Sequence, residues 1–365
     1  MASNESSCCG RGFFPIVFAG AWLVIICVRA SAVHAVTLSP GDVVIGAEIG
    51  STDTDYGLIV VDPVTGDRTI LSDNTHGTGP TFSGTIPSVT FASDGSLLVG
   101  ANGLMRVDPA TGNRTIISSP SVGTGPYDQF TAARQVGSQI ILSGGSLLNV
   151  DPTTGNRTQI PGASLTSTFA VYGFLPNGSD LIIANEAINS VERLDPITGT
   201  TIVISSNTVG SGPFVPQGKN LTDVEYGPSG NLYIGTTYAG AGIISVNPVT
   251  GDRTLVTGIG VGTGPFFGGD GGQIGVAADG TLYEGGFLAS TLVQVDPATG
   301  NRTILSDATH GTGPLFKQLT AACAVVPNVP EPSTIILATL GGLAMLAYGR
   351  RKQTRARNSL ARNKL

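Results

Sequence analysis

The sequence predicts an all-β fold built from repeated four-stranded sheets, and three observations predict it. A nine-residue phrase, VDPVTGDRT at 61–69, returns at 107–115, 150–158, 194–202, 246–254 and 295–303. Short apolar runs between the phrases alternate with polar residues and are cut by Asn-Gly and Asp-Gly pairs, the turn formers of two-residue hairpins. Finally, 52 of the 365 residues are Gly and 22 are Pro, while only 12% are charged, the composition of a folded, turn-rich chain.

Each repeat divides into four strands. In 88–118, SVTFAS leads to an Asp94-Gly95 turn, SLLVG to an Asn102-Gly103 turn, LMRV to the phrase, and RTIIS closes the unit. The phrase is therefore the hairpin between the third and fourth strands. Asp62 and its equivalents are placed to accept backbone N–H groups ahead of them, Pro63 fixes φ, and Gly66 permits a left-handed conformation. Arg68, Arg114, Arg157, Arg253 and Arg302 begin the fourth strands. There an Arg is expected to lie over apolar surface with its head in water and to keep an exposed edge from aggregating. A second phrase, GTGP, stands at 77–80, 123–126, 262–265 and 311–314, with GSGP at 210–213. It falls where the chain leaves one outer edge for the next inner strand. The third repeat lacks it.

A period of 43–52 residues in a β-rich chain points to propeller blades. The first unit begins at its second strand, and an extra strand, 319–327, follows the last phrase. That strand supplies the missing one. The expected architecture is an all-β, six-bladed β-propeller over 36–328, closed by a C-terminal strand completing the first blade.

The ends read as addresses. Residues 13–28 form an apolar run behind Arg11 and precede small residues at Ala30 and Ala32, so 1–35 reads as a signal peptide cut after Ala32 or Ala35. Residues 334–349 are an apolar, transmembrane-like stretch. A basic tail, 350–365, follows with Arg350, Arg351 and Lys352 as a cytoplasmic stop. Pro330-Glu331-Pro332, in the linker 329–333, precedes that stretch. This order resembles the PEP-CTERM sorting signal of exopolysaccharide-producing Gram-negative bacteria. The resemblance implies an exported protein, held at the inner membrane by its C-terminal helix, handled by an exosortase-type sorting protease, and delivered to the cell surface or matrix.

The body between the two ends is strongly acidic, which excludes nucleic acid as a partner. Three of the four cysteines, Cys8, Cys9 and Cys27, lie near the N-terminus. Once the signal is removed, Cys323 leaves neither an intramolecular disulfide nor a Cys-based metal site. His76 and His310 occupy matching places without a carboxylate fixed beside them both. They read as parts of two similar copies more readily than as a metal pair.

Chemistry, if present, belongs on the axis at the entrance to the first strands, among Tyr127, Asp128, Gln129, Phe214, Asp223, Glu225, Phe266, Asp270, Lys317 and Gln318. Asp128, Asp223 and Asp270 are placed to converge on a cation such as Ca²⁺, which prefers oxygen ligands. The aromatics are expected to plug the channel. No phosphate-binding loop or nucleophile elbow is present. The centres of gluconolactonase-like and lyase-like propellers find no residue-by-residue match. The leading expectation is a non-catalytic binding or structural module without a cofactor, directed at polysaccharide or another surface protein. The alternative is an extracellular carbohydrate or lactone hydrolase or lyase with an axial, calcium-dependent site.

Overall fold

The computed structural model describes residues 36–49, 55–127, 130, 132–164, 171–213, 221–237, 242–266, 273–285 and 289–325. The signal segment 1–35, the Pro330-Glu331-Pro332 motif, the apolar stretch 334–349 and the tail with Arg350, Arg351 and Lys352 lie outside them. Among the described residues no helix is long and apolar enough to cross a membrane.

Six four-stranded antiparallel sheets account for the body. The first contains β1 (Val43–Glu48), β2 (Tyr56–Val61) and β3 (Arg68–Ser72). The second contains β4 (Ser88–Phe91), β5 (Leu97–Gly100), β6 (Leu104–Val107) and β7 (Arg114–Ser118). The third contains β8 (Ala132–Val136), β9 (Gln139–Ser143), β10 (Ser146–Val150) and β11 (Arg157–Ser164). The fourth contains β12 (Val171–Asn177), β13 (Asp180–Asn185), β14 (Ser190–Leu194) and β15 (Thr201–Ser205). The fifth contains β16 (Leu221–Tyr226), β17 (Leu232–Thr236), β18 (Gly242–Val246) and β19 (Arg253–Thr257). The sixth contains β20 (Ile274–Val276), β21 (Leu282–Glu284), β22 (Leu292–Val295) and β23 (Arg302–Ser306).

The last strand, β24 (Gln318–Val325), leaves the sixth blade and pairs with β1, from Val43↔Val325 to Glu48↔Gln318. The first blade is thus β24-β1-β2-β3, as the displaced strand predicts. Innermost strands touch in sequence from β24 through β4, β8, β12, β16 and β20 back to β24, which closes the ring.

The apolar side chains sort into six clusters, one per seam. Successive residues of a strand point to opposite faces. Val44 therefore packs with Val99 and Met105 of the second blade, while Val43 and Ile45 pack with Tyr283 and Leu292 of the sixth. A blade buried on both faces needs apolar residues at consecutive positions. All six residues of β1 and all six of β2 are buried.

The phrase shapes its hairpin as its residues dictate. Asp62 Oδ1 accepts the Val64 and Thr65 amides at 2.7 and 3.0 Å, and Gly66 adopts φ 74°. The five arginines depart from expectation. They are only 4–7% exposed, and their heads are not in water. Arg114 Nε donates to Pro80 O at 2.6 Å. Its Nη1 donates to Ser72 Oγ at 2.6 Å and to His76 O at 2.9 Å, all on the preceding blade. Arg157 does the same to Pro126 O, Ser118 Oγ, Ser119 O and Val122 O, and Arg253 to Pro213 O, Ser205 Oγ, Ser206 O and Val209 O. Arg302 reaches Pro265 O, Thr257 Oγ1 and Val261 O. Arg68 reaches back across the closure to Pro314 O, Ser306 Oγ, Asp307 O and His310 O of the last blade. The residue pattern is that of an edge strand, but twist lays each outer strand against the loop leaving its neighbour, and the guanidinium replaces water with carbonyl oxygens.

GTGP is the other half of this joint. Thr78 O accepts the Arg114 amide at 2.8 Å, and Asn113 Oδ1 accepts the Thr78 amide and hydroxyl, both at 2.8 Å. Gly77 has φ 77°, and a Cβ there would stand 2.0 Å from Gly112 O, so no other residue fits. A bulge recurs near the end of the third-to-fourth strand pairing, as between Leu104 and Met105. It accompanies the turn of Ser118 Oγ toward Gly155 O of the next blade, 2.8 Å away, as the bulge between Leu58 and Ile59 accompanies that of Ser72 Oγ toward Gly112 O at 2.7 Å.

One seam lacks the joint. Between the third and fourth blades, Thr201 stands where the others have Arg, Pro161 where they have Ser or Thr, and no GTGP intervenes. Donor and acceptors are missing together.

Replacing Arg114 or Arg157 by Ala is expected to lower unfolding free energy by about 2–4 kcal/mol, because several buried carbonyls and a hydroxyl lose their donor. Arg106→Ala, which removes a surface pair with Asp94, should cost no more than about 1 kcal/mol. Thr201→Arg, at the seam without acceptors, should stay within about 0.5 kcal/mol of wild type. Urea titrations of the three classes check this ordering.

Candidate functional site: the axial cluster

The innermost strands place one set of ionisable groups on the axis. Asp223 and Glu225 are two residues apart on β16 and so share a face. Arg134 comes from β8, two blades away. Its Nη2 donates to Glu225 Oε1 in a short bond and lies 3.9 Å from Asp223 Oδ1. Asp223 Oδ2 accepts the Ile274 amide of the sixth blade at 3.0 Å. On the fourth blade Gly173 makes room, since a Cβ there would stand 2.4 Å from Asp223 Oδ1. The cluster therefore ties the third, fourth, fifth and sixth blades across the channel.

Two acids face one base at low exposure. Asp223 is 1% exposed. Burial, and then the nearby Glu225 charge, raise its carboxyl to about 7, against the pull of Arg134. Burial also raises Glu225, though Arg134 holds it down in part. Burial acts to lower the Arg134 guanidinium, but Glu225 and Asp223 outweigh it and the direction is upward. Asp223 Oδ1 and Arg134 Nε have no hydrogen-bond partner among the described residues.

A cavity of about 300 Å³ opens onto the cluster at the end of the axis where the innermost strands finish. Every blade contributes to its wall: Phe91, Gln135, Pro176, Glu225, Val276 and Val325. Arg134 and Glu225 keep 16% and 20% of their side-chain surface open. The cavity presents a paired charge within a wall that mixes apolar side chains with Thr90 and Gln135.

Of the three acids expected to converge on a cation, Asp223 is on the axis, while Asp128 and Asp270 lie outside the described residues. Gln129 and Phe214 also lie outside. Asp223 has Glu225 and Arg134 for company. Among the described residues no group of three or more His, Cys, Asp or Glu side chains could hold a metal ion. Lys317 and Gln318 sit at the other end of the inner strands, against Glu48: Lys317 Nζ is 2.9 Å from Oε1, and Gln318 Nε2 donates to Oε2 at 2.6 Å.

Tyr127 and Phe266 do not plug the channel. Each carries a joint arginine over its ring, Arg157 at 5.3 Å and Arg302 at 4.6 Å. Those arginines are on outermost strands, about 14 Å from the innermost at the usual strand spacing. Contrary to expectation, His76 and His310 do have a carboxylate fixed at the same spacing: Asp73 and Asp307, three residues before each, place Oδ1 2.9 Å from Nδ1. Their carbonyls serve the joints of Arg114 and Arg68. Arg134 escaped the sequence reading. The signal for it was present: it is the one Arg on an innermost strand among the described residues, in AARQV.

The fold and its sequence appendage define an exported β-propeller with a C-terminal sorting signal. Residues 328–352 match the PEP-CTERM protein-sorting motif, which implies export, membrane anchoring through the C-terminal tail and processing by an exosortase. No curated protein matches the chain. Among solved structures, a chain of a nidogen/laminin complex is similar at TM-score 0.56 and 10% identity, over 78% of this chain and 98% of that one. A protein of unknown function from Bacteroides caccae is similar at TM-score 0.52 and 12% identity, over the same shares. Both are likenesses of fold alone.

The raised Asp223 carboxyl sets a pH dependence. Between the ordinary carboxylate value near 4 and about 7, the folded chain holds a proton that the unfolded chain releases. The stabilisation is fully present below that window and is lost as pH rises through it. Glu186, which burial also raises to about 7, acts in the same direction. Urea midpoints at pH 5 and pH 8 should therefore fall more for the wild type than for Asp223→Asn. Equal falls would remove Asp223 as a source.

Proposed function

We propose that this is a non-catalytic propeller of the cell surface or matrix that binds polysaccharide or another surface protein. The observation that carries the reading is the Arg134–Glu225 pair. It spans the axis and engages with a cation of the chain itself the carboxylate that an axial hydrolase would need free. The acids are thereby spent on joining blades. The polar side chains of the repeated phrases serve the joints and turns.

The cavity and the near-neutral Asp223 favour a second reading, an axial acid–base enzyme acting on a carbohydrate or lactone. The two readings separate in one experiment. Purified full chain in detergent is passed over immobilised acidic and neutral exopolysaccharides, and is assayed in parallel with chromogenic glycosides and lactones, with and without chelator. Retention without turnover, unaffected by chelator, is expected. Turnover that disappears in Glu225→Gln would establish the enzyme instead.

A further inference from the structure

The closing strand ends at the cavity mouth, on the side from which the chain continues to the sorting motif. We propose that the face bearing the axial cavity is held toward the bilayer while the C-terminal tail is anchored, and that the opposite face is the one displayed. The proposal rests on the anchoring that the sorting motif implies.

Three observations carry it. First, β24 is an innermost strand, and its last residue, Val325, lines the cavity mouth. The chain therefore leaves the propeller on its axis. Second, eight residues, 326–333, separate Val325 from the apolar stretch beginning at Thr334. Even fully extended they reach only about 30 Å. Third, antiparallel order puts the third-to-fourth hairpin of every blade, and the first-to-second hairpins of the second to sixth blades, at this end. Gly280, in such a turn, has Pro228 of the neighbouring blade and Pro297 of its own phrase within 4.0 Å of a built Cβ. The tips of three phrases protrude here as apolar side chains, Val64 at 88%, Ile197 at 80% and Val249 at 89% exposed.

A tether on the axis that is shorter than about 30 Å leaves little room beneath a propeller whose strands alone run ~20 Å. A soluble polysaccharide then meets the far face, with its second-to-third hairpins, while the cavity faces lipid headgroups. Cutting the tail frees the cavity to solution. The anchored and released forms thus present different surfaces without any change in the fold.

The test uses the full chain with Cys8, Cys9, Cys27 and Cys323 replaced by Ser, reconstituted in phosphatidylethanolamine/phosphatidylglycerol vesicles carrying a headgroup energy-transfer acceptor. Single donors are placed at Val64→Cys and Val249→Cys on the cavity face. A third is placed at Ile188→Cys, 61% exposed in the second-to-third hairpin of the fourth blade. Circular dichroism checks that the background keeps its β content; a background that loses it is replaced by the same donors introduced as non-natural amino acids in the otherwise native chain. The expected result is at least twofold greater transfer from 64 and 249 than from 188 in chains that float with the vesicles. Floating chains with equal transfer, or more from 188, overturn the orientation. Chains that do not float overturn the anchoring beneath it.

Discussion

A buried guanidinium surrounded by a neighbour's carbonyl oxygens is the interaction on which the rest of this structure depends. Apolar packing fills the seams between blades, but it is non-directional and would tolerate sliding. Each joint arginine fixes one blade's outer strand to the hydroxyl and the loop of the blade before it, with three to five directed bonds. This accounts for features that otherwise look unrelated. The phrase needs Arg at its eighth position because the donor belongs there. GTGP needs its first Gly because that backbone stands against the next hairpin's carbonyl. The bulge needs to be where it is because it accompanies the turned Ser hydroxyl. Residues 61–80 and 295–314, which match at all but three positions, lie on the first and last blades, and Arg68 binds the loop of the copy that ends the ring.

The seam without the joint makes the same argument by subtraction. If the Arg, the Ser and GTGP had separate duties, there would be no reason for them to vanish at one place. Thr201 and Pro161 belong to different blades, yet they are two sides of one seam. The worn fourth phrase keeps Asp195, whose Oδ1 still accepts the Ile197 amide at 2.8 Å, because the hairpin is still needed. What it loses is the part that served the neighbour. Turn formation and blade joining are therefore distinct functions written on one phrase.

Most of the fold was readable because its signals are local and repeated. Asp94-Gly95 and the DPxTG turns announce hairpins wherever they occur, and strand 319–327 could be matched to a gap by counting. The arginines were misread for a physical reason: a charged residue at the start of an edge strand has the same sequence signature whether it faces water or a neighbour's carbonyls, and only the twist between blades decides. The axial cluster was half readable. Asp223 and Glu225 sit two apart and could be named, but Arg134 lies 91 residues away and depends on ring curvature to meet them. Repetition reveals scaffold; the axis is where the repeats diverge, and single unrepeated residues carry little pattern.

That divergence gives the closing strand its importance. β24 completes the first blade, contributes Val325 to the cavity wall, and continues directly toward the sorting motif. Its ladder with β1 runs from Val43↔Val325 to Glu48↔Gln318. The joint of Arg68 then ties the loop just before β24 to the first blade's outer strand. The strand that precedes the sorting motif is thus paired with β1 along its length, and the loop before it is bound to the outer strand of the same blade through Arg68.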